Sequence, residues 1–149
     1  MTLLIQRVLK ASVTTEDKKV SIEKGLCVYV SFQPSDTPQV LLKMAQKLSK
    51  LRIFDDQEGK MNLSIKDISG SLLCVPNFTL EAEALKSNRP SFSKAKPFQD
   101  AEDDFHLFCD LCAQEMPTKR GFFGADMKVE SINDGPVNII IRSDHGLSN

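Results

Sequence analysis

The sequence predicts an α/β fold in one domain, a mixed β-sheet carrying two main helices on one side. Its 149 residues, 41% hydrophobic and 26% charged, suit a single unit with a real core and leave too little chain for a second. Two segments place apolar residues at helical spacing, Leu41 to Leu51 and Phe105 to Met116. The remaining apolar residues fall in short runs separated by Gly, Pro, Asn and Asp, so the order reads ββββ-α-β-β-α-ββ.

Leu3 to Leu9 reads as a strand, and Ala11 to Thr15 with Lys19 to Ile22 as a hairpin tipped by the polar Glu16 to Lys18. Gly25 to Phe32 is a buried strand of Val, Leu and aromatics. Ser35-Asp36-Thr37-Pro38 offers an N-cap with proline in the first turn, and Leu41, Met44, Ala45, Leu48 and Leu51 then define a helix. Leu51 to Phe54 is a short strand, and Asp55 to Lys60 a charged turn around Gly59. The Ser69-Gly70-Ser71 turn feeds a strand over Leu72 to Val75, with Pro76 to Leu80 at its end. Residues 81 to 100 mix Lys86, Arg89, Lys94 and Lys96 with proline, serine and asparagine, the composition of a long surface loop. A second helix runs from Asp100 to about Glu115, with Phe105, Phe108, Cys109, Cys112 and Met116 on one face and Pro117 as its stop. Phe122 to Ile132 and Val137 to Arg142 read as strands on either side of a turn, Asn133-Asp134-Gly135-Pro136. Ser143 to Asn149 is expected to be a frayed tail.

Charge restricts the partners. Nineteen Lys and Arg against twenty Asp and Glu give a net charge of -1, so any RNA contact must be local, at the one basic cluster in the 81 to 100 loop. The N-terminal MTLLIQRVLKASV is too short and too polar for a signal peptide or a membrane span, so a cytoplasmic protein is expected. The four cysteines sit in apolar stretches and read as reduced thiols.

Most catalytic chemistries lack their residues. His106 lies in a helix and His145 in the tail, neither placed as a base with a partner. His106, Cys109 and Cys112 recur on successive turns, but a structural zinc site normally takes a fourth ligand and draws on separate elements, so the cysteines read as core and no metal is expected. With no phosphate loop or dinucleotide fingerprint, no nucleotide cofactor is expected either. Two polar stretches at strand ends remain, Pro76 to Leu80 and Asn133 to Asn138, which composition alone would make a loop and a hairpin turn.

Six ordered segments resemble one family. They are Gln6-Arg7-Val8, Leu51-Arg52-Ile53-Phe54 with Glu58-Gly59-Lys60-Met61-Asn62, Phe78-Thr79-Leu80, Arg89-Pro90-Ser91-Phe92, Phe123-Gly124-Ala125-Asp126-Met127 and Asn133-Asp134-Gly135-Pro136-Val137. Together they span almost the whole chain, which is similar to the D-aminoacyl-tRNA deacylases. That resemblance implies a single domain over residues 1–149, barrel-like layers of mixed sheet, a homodimer, and hydrolysis of D-aminoacyl-tRNA without a cofactor. It further implies catalysis around Phe78, Thr79 and Asn77, and substrate contacts from Arg7, Pro76, Asn133, Gly135, Pro136 and Asn138. In the family a cis Gly-Pro pair from one subunit enters the other's pocket and bars L-amino acids, and the residue matching Arg7 braces it. Lys86, Arg89, Lys94 and Lys96 become the expected tRNA contacts. The chain departs at three places: Pro76 stands for the family's serine, Asn77 for its glutamine and Asn138 for a threonine. A sister family acting on related mischarged tRNAs also has proline at the first of these, so Pro76 is compatible with activity.

Overall fold

Strand β1 (Thr2–Thr14) organises the sheet. In the computed structural model, which describes residues 1–143, it runs without a break across the predicted strand and the first arm of the predicted hairpin. The exposed Leu9-Lys10 step reads as a gap in the sequence, yet strand β8 (Lys128–Arg142) pairs antiparallel with β1 from Thr2 to Thr14 and carries it through. On the other side of β1, β2 (Lys19–Ile22) pairs with Ala11 to Thr14 and β3 (Gly25–Ser31) with Thr2 to Val8, both antiparallel. Beyond β3 lie β6 (Ser71–Pro76) and β7 (Thr118–Arg120), both parallel to their neighbours, so the sheet is mixed and ordered β2-β1-β3-β6-β7 with β8 against β1.

The period of two along the strands sends side chains to two cores. Leu26, Val28, Leu72 and Cys74 join Leu3 and Ile5 in a cluster that also holds Leu41, Met44 and Leu48 of helix α1 (Pro38–Lys50) and Phe105, Phe108, Cys109 and Cys112 of helix α2 (Phe98–Ala113). Both helices therefore cover one face, as predicted. The alternate residues Cys27, Leu73 and Val75 meet Val8, Ala11, Val13 and Ile22 on the opposite face, where the sheet curls nearly into a barrel. Thr37 caps α1 by accepting the Val40 N–H at 3.4 Å, with Pro38 at the first helical position.

The fold differs locally from the sequence reading in three places, two of them at strands too short to show a legible period. β7 (Thr118–Arg120) is three residues long and lies just past Pro117, where no element was expected. Residues 122–127 are a loop rather than a strand, because Gly121 closes on the sheet through its N–H to Cys74 O (2.7 Å) and a turn with Gly124 at φ +74° follows. β4 (Phe54–Asp55) and β5 (Met61–Leu63) form a separate small hairpin across Gly59; the turn was predicted, the first strand was read too early, over Leu51 to Phe54, and the second was not read.

The cysteines are free and buried, and burial pushes the Cys27 thiol up to about 12. The Cys74 thiol is also raised well above its ordinary range, by hydrogen bonds to the Cys109 and Cys112 thiols and then by burial. Thiols so protonated are core, with no nucleophilic use. His106 is exposed beside Arg120 at 3.2 Å, while His145 and all of the predicted tail after Ser143 lie outside the described residues. Ser143 itself is held, its N–H donating to Met1 O at 3.0 Å. No helix among the described residues is long and apolar enough to cross a membrane.

Candidate active site

The first polar stretch sits where β6 stops. Pro76, opposite Val30, ends the parallel ladder, and the next N–H, that of Asn77, makes a last bond to Val30 O at 2.8 Å. The chain then turns into a short 3-10 helix, Phe78–Glu81, in which Leu80 N–H donates to Asn77 O (3.3 Å) and Ala82 N–H to Thr79 O (3.1 Å). The N–H groups of Phe78 and Thr79 come first in this turn, so it offers them no acceptor. The Thr79 hydroxyl donates to Asn77 Oδ1 at 2.5 Å, which ties the two polar side chains together.

This turn forms one wall of a cleft of about 690 Å³, floored by the end of β3 and closed opposite by Phe98 and the Phe123 to Met127 loop. Pro76, Asn77, Phe78 and Thr79 all line it. A pocket with apolar walls and a few convergent polar groups is the expected form of a small-ligand site.

The second polar stretch is not a hairpin turn. Asn138 lies opposite Gln6 and Asn133 opposite Val8, so Asp134 to Val137 bulge out of β8 opposite Arg7 alone. Turn-type residues embedded in one long strand made the bulge look like a chain reversal. Asn133 Nδ2 donates to Asn138 Oδ1 at 3.1 Å and closes the neck of the bulge. Arg7, only 7% exposed, donates from Nε to Asp134 O (3.0 Å) and from Nη1 to Ile53 O (2.9 Å) and Asp55 Oδ1 (3.3 Å). The guanidinium fork thus fixes the bulge from beneath. Gly135 has φ +126°, and a Cβ there would lie 3.1 Å from Arg7 Nη2. The Gly135–Pro136 bond is cis.

Within one chain the two stretches are apart. Gly135 and Pro136 do not line the cleft, and β3 and β1 lie between β6 and β8. Three strand spacings make that separation about 14 Å across the sheet.

The basic loop is less open than its composition suggests. Lys96 Nζ is bound to Asp104 Oδ2 at 2.5 Å and to Asp36 O at 3.2 Å with its side chain 11% exposed, so it is an internal tie and not part of an open patch. Lys94 Nζ pairs with Glu83 at 2.8 Å on the surface, and Lys86 and Arg89 are exposed. The sequence reading also missed Glu81. Assigned to the surface loop, it is 7% exposed and accepts from Ser31 Oγ (2.5 Å) and Gln33 Nε2 (2.8 Å). Burial pushes its carboxyl up, but these hydrogen bonds outweigh burial and hold it below the ordinary 4.5. Nothing in a glutamate just beyond Phe78-Thr79-Leu80 signals that it anchors their turn to β3.

The model of one family, described as D-Tyr-tRNA(Tyr) deacylase, matches residues 4–142. The chain belongs to the D-Tyr-tRNA(Tyr) deacylase family. A D-aminoacyl-tRNA deacylase of Vibrio cholerae serotype O1 is 44% identical over 144 residues, 96% of this chain and all of that protein. Another from Dichelobacter nodosus is 49% identical over 136 residues, 90% of this chain and 94% of its own. Among solved structures, one described as c-Myc DNA Unwinding Element Binding Protein superposes with a TM-score of 0.90 at 37% identity, covering 95% of this chain and 98% of that one. A structure described as a probable eukaryotic D-amino acid tRNA deacylase has a TM-score of 0.80 over 95% of this chain and 99% of its own, and at 17% identity it speaks for the deacylase fold alone.

Proposed function

We propose that this chain, acting as one domain, hydrolyses the ester of D-aminoacyl-tRNA, and of glycyl-tRNA mischarged on a non-cognate tRNA, releasing the amino acid and free tRNA in the cytoplasm. The observation that carries this is the cleft wall at Phe78 and Thr79, two N–H groups at the head of a turn with no acceptor inside it. An aminoacyl ester is already activated, so its hydrolysis needs a placed water and donors for the developing oxyanion more than a strong base. Phe78 and Thr79 supply the donors, Thr79 and Asn77 position the water, and the 2′-hydroxyl of the terminal adenosine assists proton transfer. Pro76 removes an N–H ahead of the turn, and that of Asn77 is spent on Val30, so the donors survive the family departures.

Selection against L-substrates falls to Gly135 and Pro136 of a second copy. Among the described residues Gly135 and Pro136 of the bulge are exposed and lie outside the cleft lining, so within one chain bulge and cleft stay separate. A two-fold homodimer completes both, its main-chain atoms leaving room for hydrogen and none for an L side chain. β8 favours this assembly: β1 is its only partner among the described residues, and Ile132 and Ile140 on it are 46% and 56% exposed. Lys86, Arg89 and Lys94 approach the acceptor-stem phosphates.

The direct experiment measures deacylation of D-, L- and glycyl-tRNA side by side, together with sedimentation at micromolar concentration. Cleavage of the D- and glycyl esters with the L-ester spared, by a dimer, is expected. Equal cleavage of D and L, or full activity in a monomer, would contradict it. A second reading, nucleic-acid binding without turnover, is favoured by one observation, the 37% identical structure described as a DNA element binding protein. Binding of RNA or DNA with no cleavage of any of the three esters would select it.

A further inference from the structure

The ring of Phe78 has no role in the chemistry above, which uses only its main chain. It is 58% exposed and meets Phe92, 37% exposed, edge to face with ring centres 5.1 Å apart and planes at 72°. Two large apolar side chains left this open add little to folding, and contiguous apolar surface at the mouth of a site marks binding. The pair also has a direction. Phe78 lines the cleft, whereas Phe92 lies outside its lining, in the loop beyond, so the rings lead from the cleft onto the surface.

What they lead to is cationic. Glu83 and Ser91 exchange both main-chain hydrogen bonds, at 2.9 and 3.0 Å, and this clamp closes the segment that carries the exposed Lys86 and Arg89, with Phe92 the residue after Ser91. Open aromatic rings beside cations suit a single nucleic-acid strand: rings take bases through their π-faces and cations take the phosphates between them.

We infer that Phe78 and Phe92 form a stacking platform for the base of the unpaired nucleotide preceding the aminoacylated one, with Arg89 and Lys86 on the adjoining phosphates. This rests on the proposed substrate, because an ester held at the Phe78 and Thr79 N–H groups puts the terminal nucleoside in the cleft and its upstream neighbour at the mouth. The platform would grip the common end of a tRNA whatever amino acid is attached, and so separates affinity from the reading of chirality.

The test is equilibrium binding of uncharged RNA hairpins with unpaired 3′ ends, identical except that one lacks the base at the penultimate nucleotide. Wild-type protein should bind the abasic hairpin about tenfold more weakly, within the range of base–aromatic stacking. Phe92→Leu should weaken binding of the intact hairpin by a similar factor and that of the abasic one no further, while Phe92→Tyr should keep the wild-type pattern. Equal wild-type affinity for the two hairpins overturns the inference even if Phe92→Leu fails to fold. So do effects of Phe92→Leu and base removal that multiply, or a Phe92→Leu change confined to self-association. Deacylation of the charged intact hairpin is followed in parallel. Its absence with the binding pattern retained would count against hydrolysis and in favour of the platform.

Discussion

The turn at Pro76 to Glu81 and the bulge at Asp134 to Val137 are both interruptions of strands, each fixed by one buried charge, but they are held in opposite ways. The turn terminates β6 and hangs from a carboxylate, Glu81, that reaches back to Ser31 and Gln33. The bulge leaves β8 and returns to it, gripped by a guanidinium, Arg7, that donates to Asp134 O, Ile53 O and Asp55. Ending a strand frees N–H donors toward the chain's own cleft, whereas bulging one out presents main-chain atoms away from it. Under the proposed function, chemistry and selection would stand on separate supports, and damage to one should leave the other readable.

The largest effect is expected at Arg7. Arg7→Ala leaves buried acceptors without a donor and should lower stability by about 3 kcal/mol, in the range for breaking a buried charged contact. With the bulge unsupported, the ratio of D- to L-ester cleavage should collapse toward one while D-cleavage itself persists. Denaturant unfolding and paired deacylation rates check both. Glu81→Ala should be somewhat milder, about 1–3 kcal/mol for the hydrogen-bonding groups it strands. It should lower cleavage of every ester and leave the D-to-L ratio intact. If Arg7→Ala and Glu81→Ala change rate and ratio together, the two supports are not separate.

Glu81 also gives a pH signature. Its folded pKa lies below the ordinary 4.5, so its contribution to stability is fully present above that value and is lost as pH falls through the folded pKa. Melting temperature should therefore drop more steeply with acid in wild type than in Glu81→Gln. Matching slopes would mean that the hydrogen bonds from Ser31 and Gln33 do not favour the charged form. The smallest effect is expected at the bulge's neck, where Asn138→Ala breaks an exposed bond to Asn133 and should cost about 0.5–1.5 kcal/mol, with a minor loss of discrimination.

Legibility in the sequence followed period and length. The two helices and strands β3 and β6 are long enough for an apolar period to show, and their placement came out as read, whereas β1 was read as two pieces because its exposed Leu9-Lys10 step interrupts the period. β7, three residues long, has no period to read, and the bulge looked like a hairpin because Asn, Asp, Gly and Pro carry the same local preferences in both settings. Asn77, Phe78 and Thr79 were singled out through a resemblance to a family, and the structure places them in the wall of the cleft. Glu81 and Lys96 were misjudged for the opposite reason. A charged residue reads as exposed, and only tertiary partners, Ser31 with Gln33 for one and Asp104 with Asp36 for the other, reveal that it is held inside.

The most direct measurement compares the native chain with one carrying Pro76→Ser, Asn77→Gln and Asn138→Thr together, both assayed on D-aminoacyl-tRNA. If the oxyanion donors are the N–H groups of Phe78 and Thr79, the native chain cleaves the ester above background, and restoring the three side chains speeds it by no more than about a hundred- to thousand-fold, the worth of one good transition-state hydrogen bond. No cleavage by the native chain, alongside cleavage by the restored one, would contradict that assignment and leave a nucleic-acid-binding relative of the deacylases in its place.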